Sequence, residues 1–247
     1  MHVAFRLILL ALTAFAGALP GLAASWDEDL FLRPEDLRTV LFGSLDAGRS
    51  VFVSAGAKQS LTGPLDRPGF LALETSGYGV NPERFRQGPF SLPASRMTQE
   101  NALLAGFQWT RDVYLAIFAG PEVSHQQLTV ASRVYRWSQP RIGLRGQAEL
   151  WWNASPDVAV MGSTTGSTAR GSLWARAAAG YLVAGAAYLG PELTVYTAPR
   201  YLELRYGAHL TGYRLGILNL RLSGGVLQAD DRRGVSPYLG LSGWIRM

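Results

Sequence analysis

The stretch RYLELRYGAHLTGYRLG, residues 200–216, alternates strictly between apolar and polar positions. Leucine, tyrosine or alanine fills every even position from 202 to 210, whereas the odd positions carry Glu203, Arg205 and His209. A period of two residues fits a β-strand and not a helix, whose period is about 3.6. This strand therefore has one hydrocarbon face and one charged face.

The same alternation recurs along the chain in short runs separated by turn residues. Between residues 141 and 152, Ile142 and Leu144 share the apolar face, while Arg145 and Glu149 share the polar face. The pattern predicts an all-β protein of about twelve antiparallel strands. They are placed at 38–45, 50–60, 69–78, 100–109, 112–122, 140–152, 157–167, 171–182, 186–196, 200–213, 217–228 and 236–246.

The connections between these strands predict an up-and-down transmembrane β-barrel. Short turns fall on nearly every second connection, and the longest loops, 79–99 and 123–139, lie between them. Short turns on one side and long loops on the other are typical of an outer-membrane barrel. Three connections depart from this rule: the tight turns at 168–170 and 197–199, and the long turn at 61–68.

Composition bears on whether the charged faces point inward or out to water, as they would in a soluble β-sandwich. Of the 23 basic residues, 22 are arginine and only Lys58 is lysine, although a solvated sheet normally uses lysine. A closed barrel instead turns its apolar face to lipid and its polar face inward. We expect acids and arginines to balance there and constrict the lumen, since an unpaired buried charge costs several kcal/mol. The predicted lumen-lining charged residues are Glu122, Arg145, Glu149, Arg176, Glu192, Glu203, Arg205, His209 and Arg221.

Aromatic residues lie near the predicted strand ends, where interfacial girdles form in membrane barrels. Ordinary core packing explains any one of them equally well. The residues are Trp109, Trp152, Tyr181, Tyr188, Tyr213 and Trp244.

The N-terminus predicts export from the cytoplasm. A basic residue, Arg6, precedes an apolar run from Leu7 to Leu19, and small residues follow. This is the pattern of a signal peptide, assigned to residues 1–23; an uncleaved anchor helix is the alternative. Residues 24–37 are then a periplasmic segment, and the barrel occupies 38–247. The predicted location is the outer membrane of a Gram-negative bacterium.

Two sequence features are candidate sites of catalysis or of strand distortion. His209 and Thr211 share one strand face, which suggests a lipid hydrolase, but that face points into the lumen, so we predict no enzyme activity. The three histidines are scattered, so we predict no metal site and no cofactor.

The motif Gly-Pro-Glu occurs at 120–122 and 190–192, where proline lacks a ladder donor. Bulges are expected there that turn both glutamates inward.

The long loops offer candidate contacts for glucan or for lipopolysaccharide head groups. Aromatic faces can stack on sugar rings, and arginine can bind phosphate or hydroxyl groups. The candidate residues are Arg84, Phe85, Arg133, Tyr135, Arg136 and Trp137. A net charge of +5, dispersed along the chain, predicts no nucleic-acid partner.

Several segments resemble a known family. They are ELWWNASPD, LWARAAAGY, YLGPEL, GAHLTGYRLG and the final DDRRG…PYLGLSG, all within residues 141–247. The chain is similar here to the cellulose biosynthesis protein BcsS family of alphaproteobacteria. The resemblance implies an outer-membrane protein encoded with a bacterial cellulose synthesis and export system, and it carries over no catalytic residue.

From these observations we expect a non-enzymatic outer-membrane accessory of cellulose biosynthesis, export or surface retention. Its expected partners are outer-membrane lipid, glucan and components of the export system. The alternatives are a narrow general porin and, behind it, an outer-membrane lipid hydrolase.

Overall fold

A computed structural model describes residues 37–131, 133–230 and 234–247, without the side chains of 86–87 and 134–137. The signal peptide and all but one residue of the segment 24–37 lie outside the described residues, so these domain assignments stay predictions. No helix in the described part of the chain is long and apolar enough to cross a membrane.

The described residues form thirteen β-strands, numbered in chain order. They are β1 Thr39–Ala47, β2 Val51–Ser60, β3 Gly69–Gln87, β4 Phe90–Thr110, β5 Val113–Val130, β6 Arg133–Trp137, β7 Arg141–Ser155, β8 Val158–Ser167, β9 Ser172–Val183, β10 Ala187–Ala198, β11 Tyr201–Leu215, β12 Leu218–Ala229 and β13 Val235–Arg246.

Twelve of these strands close into an antiparallel barrel. Each pairs with its neighbour in sequence, except that β5 pairs with β7, and β1 pairs with β13 to close the sheet. The short strand β6 pairs only with β5 and lies outside the barrel wall. Backbone bonds join Thr39 and Met247, so β1 begins and β13 ends on the same side. The predicted fold class and the count of twelve barrel strands are confirmed.

The two faces of the sheet differ as the alternation predicts. On β11, Glu203 and His209 are 3% and 1% exposed, whereas Leu202 and Tyr206, at alternate positions, are exposed. Large apolar side chains cover the outside around the barrel, with Ile142 at 80% exposure. Such a surface is stable against hydrocarbon, and closure satisfies the backbone groups that lipid cannot. The protein is therefore an outer-membrane barrel, as predicted.

The outer side of the barrel differs from the prediction. Residues 79–99 and 123–139 were expected to be loops, but β3, β4 and β5 run on through most of them as strands of 19, 21 and 18 residues. Residues 81–87, 90–98, 125–130 and 133–137 pair beyond the ends of β2 and β7. We call this four-stranded sheet the outer extension. Seven residues at about 3.3 Å each raise β3 about 23 Å along its axis above the neighbouring wall.

The aromatic residues divide into two groups. Trp109, Trp152, Tyr181 and Tyr213 are exposed at the strand ends that lie on the same side as the two chain ends. They stand where an interfacial girdle is expected. Tyr188 instead packs against the interior cluster that contains Met161, and Trp244 pairs with Phe42 on the interior face.

The two Gly-Pro-Glu motifs contain no bulge, so that prediction is wrong. On either side of Pro191 the β9–β10 register is unbroken, and the same holds on either side of Pro121 in β5. The preceding glycine explains this, because the neighbouring strand comes very close. A Cβ on Gly190 would lie 1.9 Å from the carbonyl oxygen of Ala179, and one on Gly120 would lie 2.2 Å from that of Leu103. The neighbouring strands therefore approach each other closely beside the proline, and neither strand bulges.

Candidate functional site

The barrel interior brings charged side chains together in four groups. The first contact crosses the lumen: Lys58 Nζ on β2 lies 2.6 Å from Glu149 Oε2 on β7. Strands β3, β4 and β5 separate these two in the wall. Tyr114 accepts from Lys58 at 2.9 Å and donates to Glu149 at 3.1 Å, and Gln147 donates to the other carboxylate oxygen at 3.1 Å. Glu149 is thus held by three donors.

The second group lies near the outer end of β7, beside the middle of β5. Arg145 Nε donates to Glu122 Oε2 at 2.9 Å, and its terminal nitrogen contacts Glu100. Glu122, which is 1% exposed, also accepts from the Ser167 hydroxyl and from the backbone N–H of Ala169 at 3.2 Å. This arginine is therefore shared between two carboxylates on β4 and β5.

The third group is a chain of hydrogen bonds through a buried part of the interior. Arg221 contacts Glu192 and donates from Nη1 to Thr211 Oγ1 at 2.9 Å. The Thr211 hydroxyl lies 2.8 Å from His209 Nδ1. The other ring nitrogen of His209, Nε2, lies 3.2 Å from the carbonyl oxygen of Ala179 and must donate to it, since a carbonyl only accepts.

That last bond explains why a histidine stands here. Ala179 lies opposite Pro191 in the β9–β10 register, and proline has no N–H to offer it. His209, from the next strand, supplies a donor to this carbonyl. With Nε2–H donating, Nδ1 accepts from Thr211, so both ring nitrogens of His209 are satisfied.

The same arrangement speaks against the hydrolase alternative. His209 and Thr211 are each 1% exposed, and all three polar side-chain atoms of the pair are already engaged. A nucleophile needs room for a substrate carbonyl and an oxyanion site beside it. The pair serves instead as a bonded element of the barrel interior.

The fourth group joins β11 to β1. Arg205 Nε donates to Glu203 Oε1 at 2.7 Å, and Arg205 Nη1 donates to Asp46 Oδ1 at 3.1 Å. The Tyr201 hydroxyl donates to Glu203 Oε2 at 2.6 Å. The guanidinium also lies over the ring of Tyr238, 5.5 Å from its centroid. Strands β12 and β13 separate β11 from β1, so this contact also reaches over part of the interior.

Arg176 differs from the other interior arginines. Within the described residues it makes no ion pair; its guanidinium lies over the ring of Trp174, 5.3 Å from the centroid. The balanced set of four acids and four arginines was therefore too simple, because further charged residues take part.

Sequence reasoning missed several interior partners. Lys58 lies on the inward parity of a predicted strand and could have been found by extending the alternation to β2. Asp46 and Glu100 fell at or beyond predicted strand ends, where parity gives no face. Arg170 lies in the turn between β8 and β9 and donates to Ser124 Oγ at 2.6 Å. Burial, together with the charge of Arg141, lowers the pKa of its guanidinium.

Two apolar groups fill other parts of the interior. One joins β3, β4 and β5 through Leu71, Leu73, Leu104 and Phe118, and the other joins β8 and β9 around Met161. Arg221 Nη1 on β12 reaches the sulfur of Met161 on β8 at 3.6 Å, which is a second contact across the barrel. Among the side chains that the structure describes, no group of three or more His, Asp or Glu could hold a metal ion.

The outer extension carries the other candidate residues. Arg84 and Arg133 are exposed and Phe85 is half-buried, whereas Tyr135, Arg136 and Trp137 belong to β6 and their side chains lie outside the description. At the tip of the β3–β4 hairpin a depression of about 350 Å³ is lined by Arg84, Gly88, Pro89, Phe90 and Ser91. Phe90 is 71% exposed.

Comparison with known proteins gives one family. The family model described as cellulose biosynthesis protein BcsS matches residues 40–247, which confirms the resemblance seen in the sequence. No curated protein matches the chain.

Solved structures that are similar to this chain are distant from it. The KdgM porin in complex with disordered oligogalacturonate is 11% identical with a TM-score of 0.46, over 83% of this chain and 98% of that one. The translocator domain of the autotransporter NalP from Neisseria meningitidis is 14% identical with a TM-score of 0.46, over 98% and 95%. The outer membrane protein Omp33 from Acinetobacter baumannii is 11% identical with a TM-score of 0.39, over 87% and 100%. Likenesses this distant carry no argument about function.

Proposed function

This chain belongs to the cellulose biosynthesis protein BcsS family, and on that premise we propose that it is a non-enzymatic outer-membrane accessory of cellulose export or surface retention. The match over residues 40–247 is the observation that carries the proposal, because it covers the whole barrel. Contacts within the barrel and at its outer side support a choice of where in the molecule such a role is performed.

The interior supports a role outside the lumen. Lys58 and Glu149 meet across it at 2.6 Å, and Arg221 reaches Met161 from the opposite wall at 3.6 Å. A glucan chain could not pass these contacts without breaking buried, charge-assisted hydrogen bonds. We therefore propose that the interior contacts keep the lumen closed and that the polymer does not pass through it.

The outer extension is the better candidate for contact with cellulose. It rises on one side of the barrel, and its tip combines the exposed ring of Phe90 with the guanidinium of Arg84 and the hydroxyl of Ser91. Glucan is uncharged and presents apolar ring faces with hydroxyl edges. A stacking ring beside hydrogen-bond donors suits such a ligand. Anionic lipid head groups would use the arginines but would leave the exposed ring without a partner.

The first experiment removes the protein. Deleting the gene should lower the amount of cellulose held on the cell surface, while synthase activity in isolated inner membranes stays at the wild-type level. Unchanged surface cellulose would overturn the proposed function. Lost synthase activity in the isolated membranes would also contradict it, because an outer-membrane accessory does not supply the polymerising step.

The second experiment tests the extension. Arg84→Ala combined with Phe90→Ala should lower retained cellulose without changing the amount of folded barrel, measured by heat-modifiable mobility on gels. The matched control is Arg111→Ala combined with Leu61→Ala, which alters the same kinds of exposed side chain at turns on the opposite side. Equal retention in both variants would show that the tip does not contact the polymer.

A further inference from the structure

The outer surface of β3 and β4 carries a cluster of polar groups, whereas the rest of the barrel wall is mainly apolar. Glu74 faces outward from β3 and is exposed, opposite Leu103, which is 62% exposed. Below the outer extension, Glu74 is the one charged residue on the outer face of the described barrel strands. It makes no hydrogen bond or ion pair with any described residue.

Glu74 lies within the membrane-facing band. It is four residues along β3 from Phe70, an exposed aromatic at the side where the chain ends meet. Four residues at about 3.3 Å, on a strand tilted about 40°, place it about 10 Å into an apolar band about 25 Å tall. A carboxylate facing lipid at this depth is unfavourable, and an ionisable group inside a membrane points to a partner.

Two amides and a hydroxyl accompany it on the same face. Ser76 Oγ donates to Asn101 Oδ1 at 2.9 Å, and both residues are exposed. That bond leaves the Asn101 NH₂ group without an acceptor among the described residues. Gln99, two residues further along β4, is also exposed. The patch therefore holds unused donors beside an unused acceptor.

Two outward polar side chains elsewhere on the barrel are satisfied within the chain. Thr164 faces outward on β8 but donates to the carbonyl oxygen of Trp174 at 3.0 Å, and Thr39 donates to Gln59 at 2.6 Å near the ends of their strands. The polar patch of Glu74, Ser76, Gln99 and Asn101 is distinct in composition, because it places a carboxylate beside two amides and a hydroxyl.

We propose that this patch is the interface of a two-fold symmetric dimer of the chain in the outer membrane. A two-fold axis places each residue of a patch against the same patch on the partner, so donors meet acceptors in both directions. The Asn101 amide of one copy donates to Glu74 of the other, and the reverse contact forms by symmetry. Leu103 and its exposed apolar neighbours pack around these bonds. A second copy fits because the patch contains both halves of the required pairing.

The absence of cysteine makes a direct test possible. Ser76→Cys is a near-isosteric change that gives the chain one thiol, so a disulfide between like chains must join two patches. Oxidation of intact outer membranes should convert this variant into a species of twice the monomer mass. The matched control is Leu222→Cys, at an exposed position on β12. It should stay monomeric under the same treatment.

A second variant tests the chemistry of the contact. Adding Glu74→Leu and Asn101→Leu to Ser76→Cys should reduce the cross-linked fraction about tenfold or more, because charge-assisted bonds are replaced by side chains that lipid solvates equally well. Heat-modifiable mobility shows that each variant is folded. Absence of the dimer from Ser76→Cys, equal dimer from Leu222→Cys, or a cross-link of another mass would each overturn the proposal. The last result would show a different protein on this face.

Discussion

The Arg221–Glu192 pair allows a quantitative test of how ionic contacts hold the interior. Replacing Arg221 with Met removes the cation beside Glu192 and the donor to Thr211. The two charged side chains are only 5% and 3% exposed, so water cannot replace the lost contact. Glu192 would keep only the Tyr238 hydroxyl, at 3.5 Å. Breaking one side of such a pair costs about 3–5 kcal/mol, and Arg221→Met should lower the free energy of unfolding by that amount.

The double variant separates the charge from the packing. Arg221→Met with Glu192→Gln leaves neither member of the pair charged, so it should recover at least about 2 kcal/mol of the loss. The assay is urea-induced unfolding in lipid vesicles, followed by tryptophan fluorescence. Arg96→Met, which breaks an exposed pair with Glu83, is the control and should cost no more than about 1 kcal/mol. If Arg221→Met costs no more than Arg96→Met, or if the double variant recovers nothing, the ionic account of the interior is wrong.

Three further predictions address the wall, the strand approach and the lumen. Leu222→Arg should destabilise the barrel by about 2 kcal/mol or more in vesicles while Leu222→Met does not, and equal unfolding curves would show that this face does not meet lipid. Gly190→Ala would place a Cβ 1.9 Å from a carbonyl oxygen and should lower the free energy of unfolding by about 1–3 kcal/mol. Gly63→Ala, with open space around it, should leave that free energy unchanged. Equal unfolding midpoints for the two variants would contradict the close approach of the strands. Lys58→Ala with Glu149→Ala should raise single-channel conductance in planar bilayers, and steady wild-type conductance for unrelated small solutes would instead favour a general porin.

The barrel wall was predictable because the bilayer imposes a period of two on it. Apolar side chains at Leu202, Leu204 and Tyr206 must face lipid, so parity alone separated the two faces of β11. The outer extension was not predictable in this way. Both of its faces stand clear of hydrocarbon, so residues 81–87 need no alternation, and proline and glycine near the hairpin resembled loop composition. Strand pairing there is a long-range property that local pattern does not encode.

The interior residues were predictable by face but not by partner. Parity placed Glu149 on the polar face, yet its partner Lys58 lies four strands away in the wall and across the lumen. His209 was read only as a candidate for chemistry, because its role depends on a carbonyl opposite Pro191 on another strand. The Gly-Pro-Glu motif misled in a related way. Proline predicts a bulge only if the neighbouring strand stays at the usual distance. Gly190 lacks the side chain that would hold that strand away, so the strand approaches closely and no bulge forms.

One consequence follows from the position of the outer extension. It grows from β3, β4 and β5, and the polar patch lies on the membrane-facing part of β3 and β4. In a dimer joined through that patch, the two outer extensions would lie back to back and project together above the cell surface. Each dimer would then carry two hairpin tips bearing Phe90 along one edge. A long polymer could bind to both tips of a dimer at once, whereas a monomer offers a single binding point.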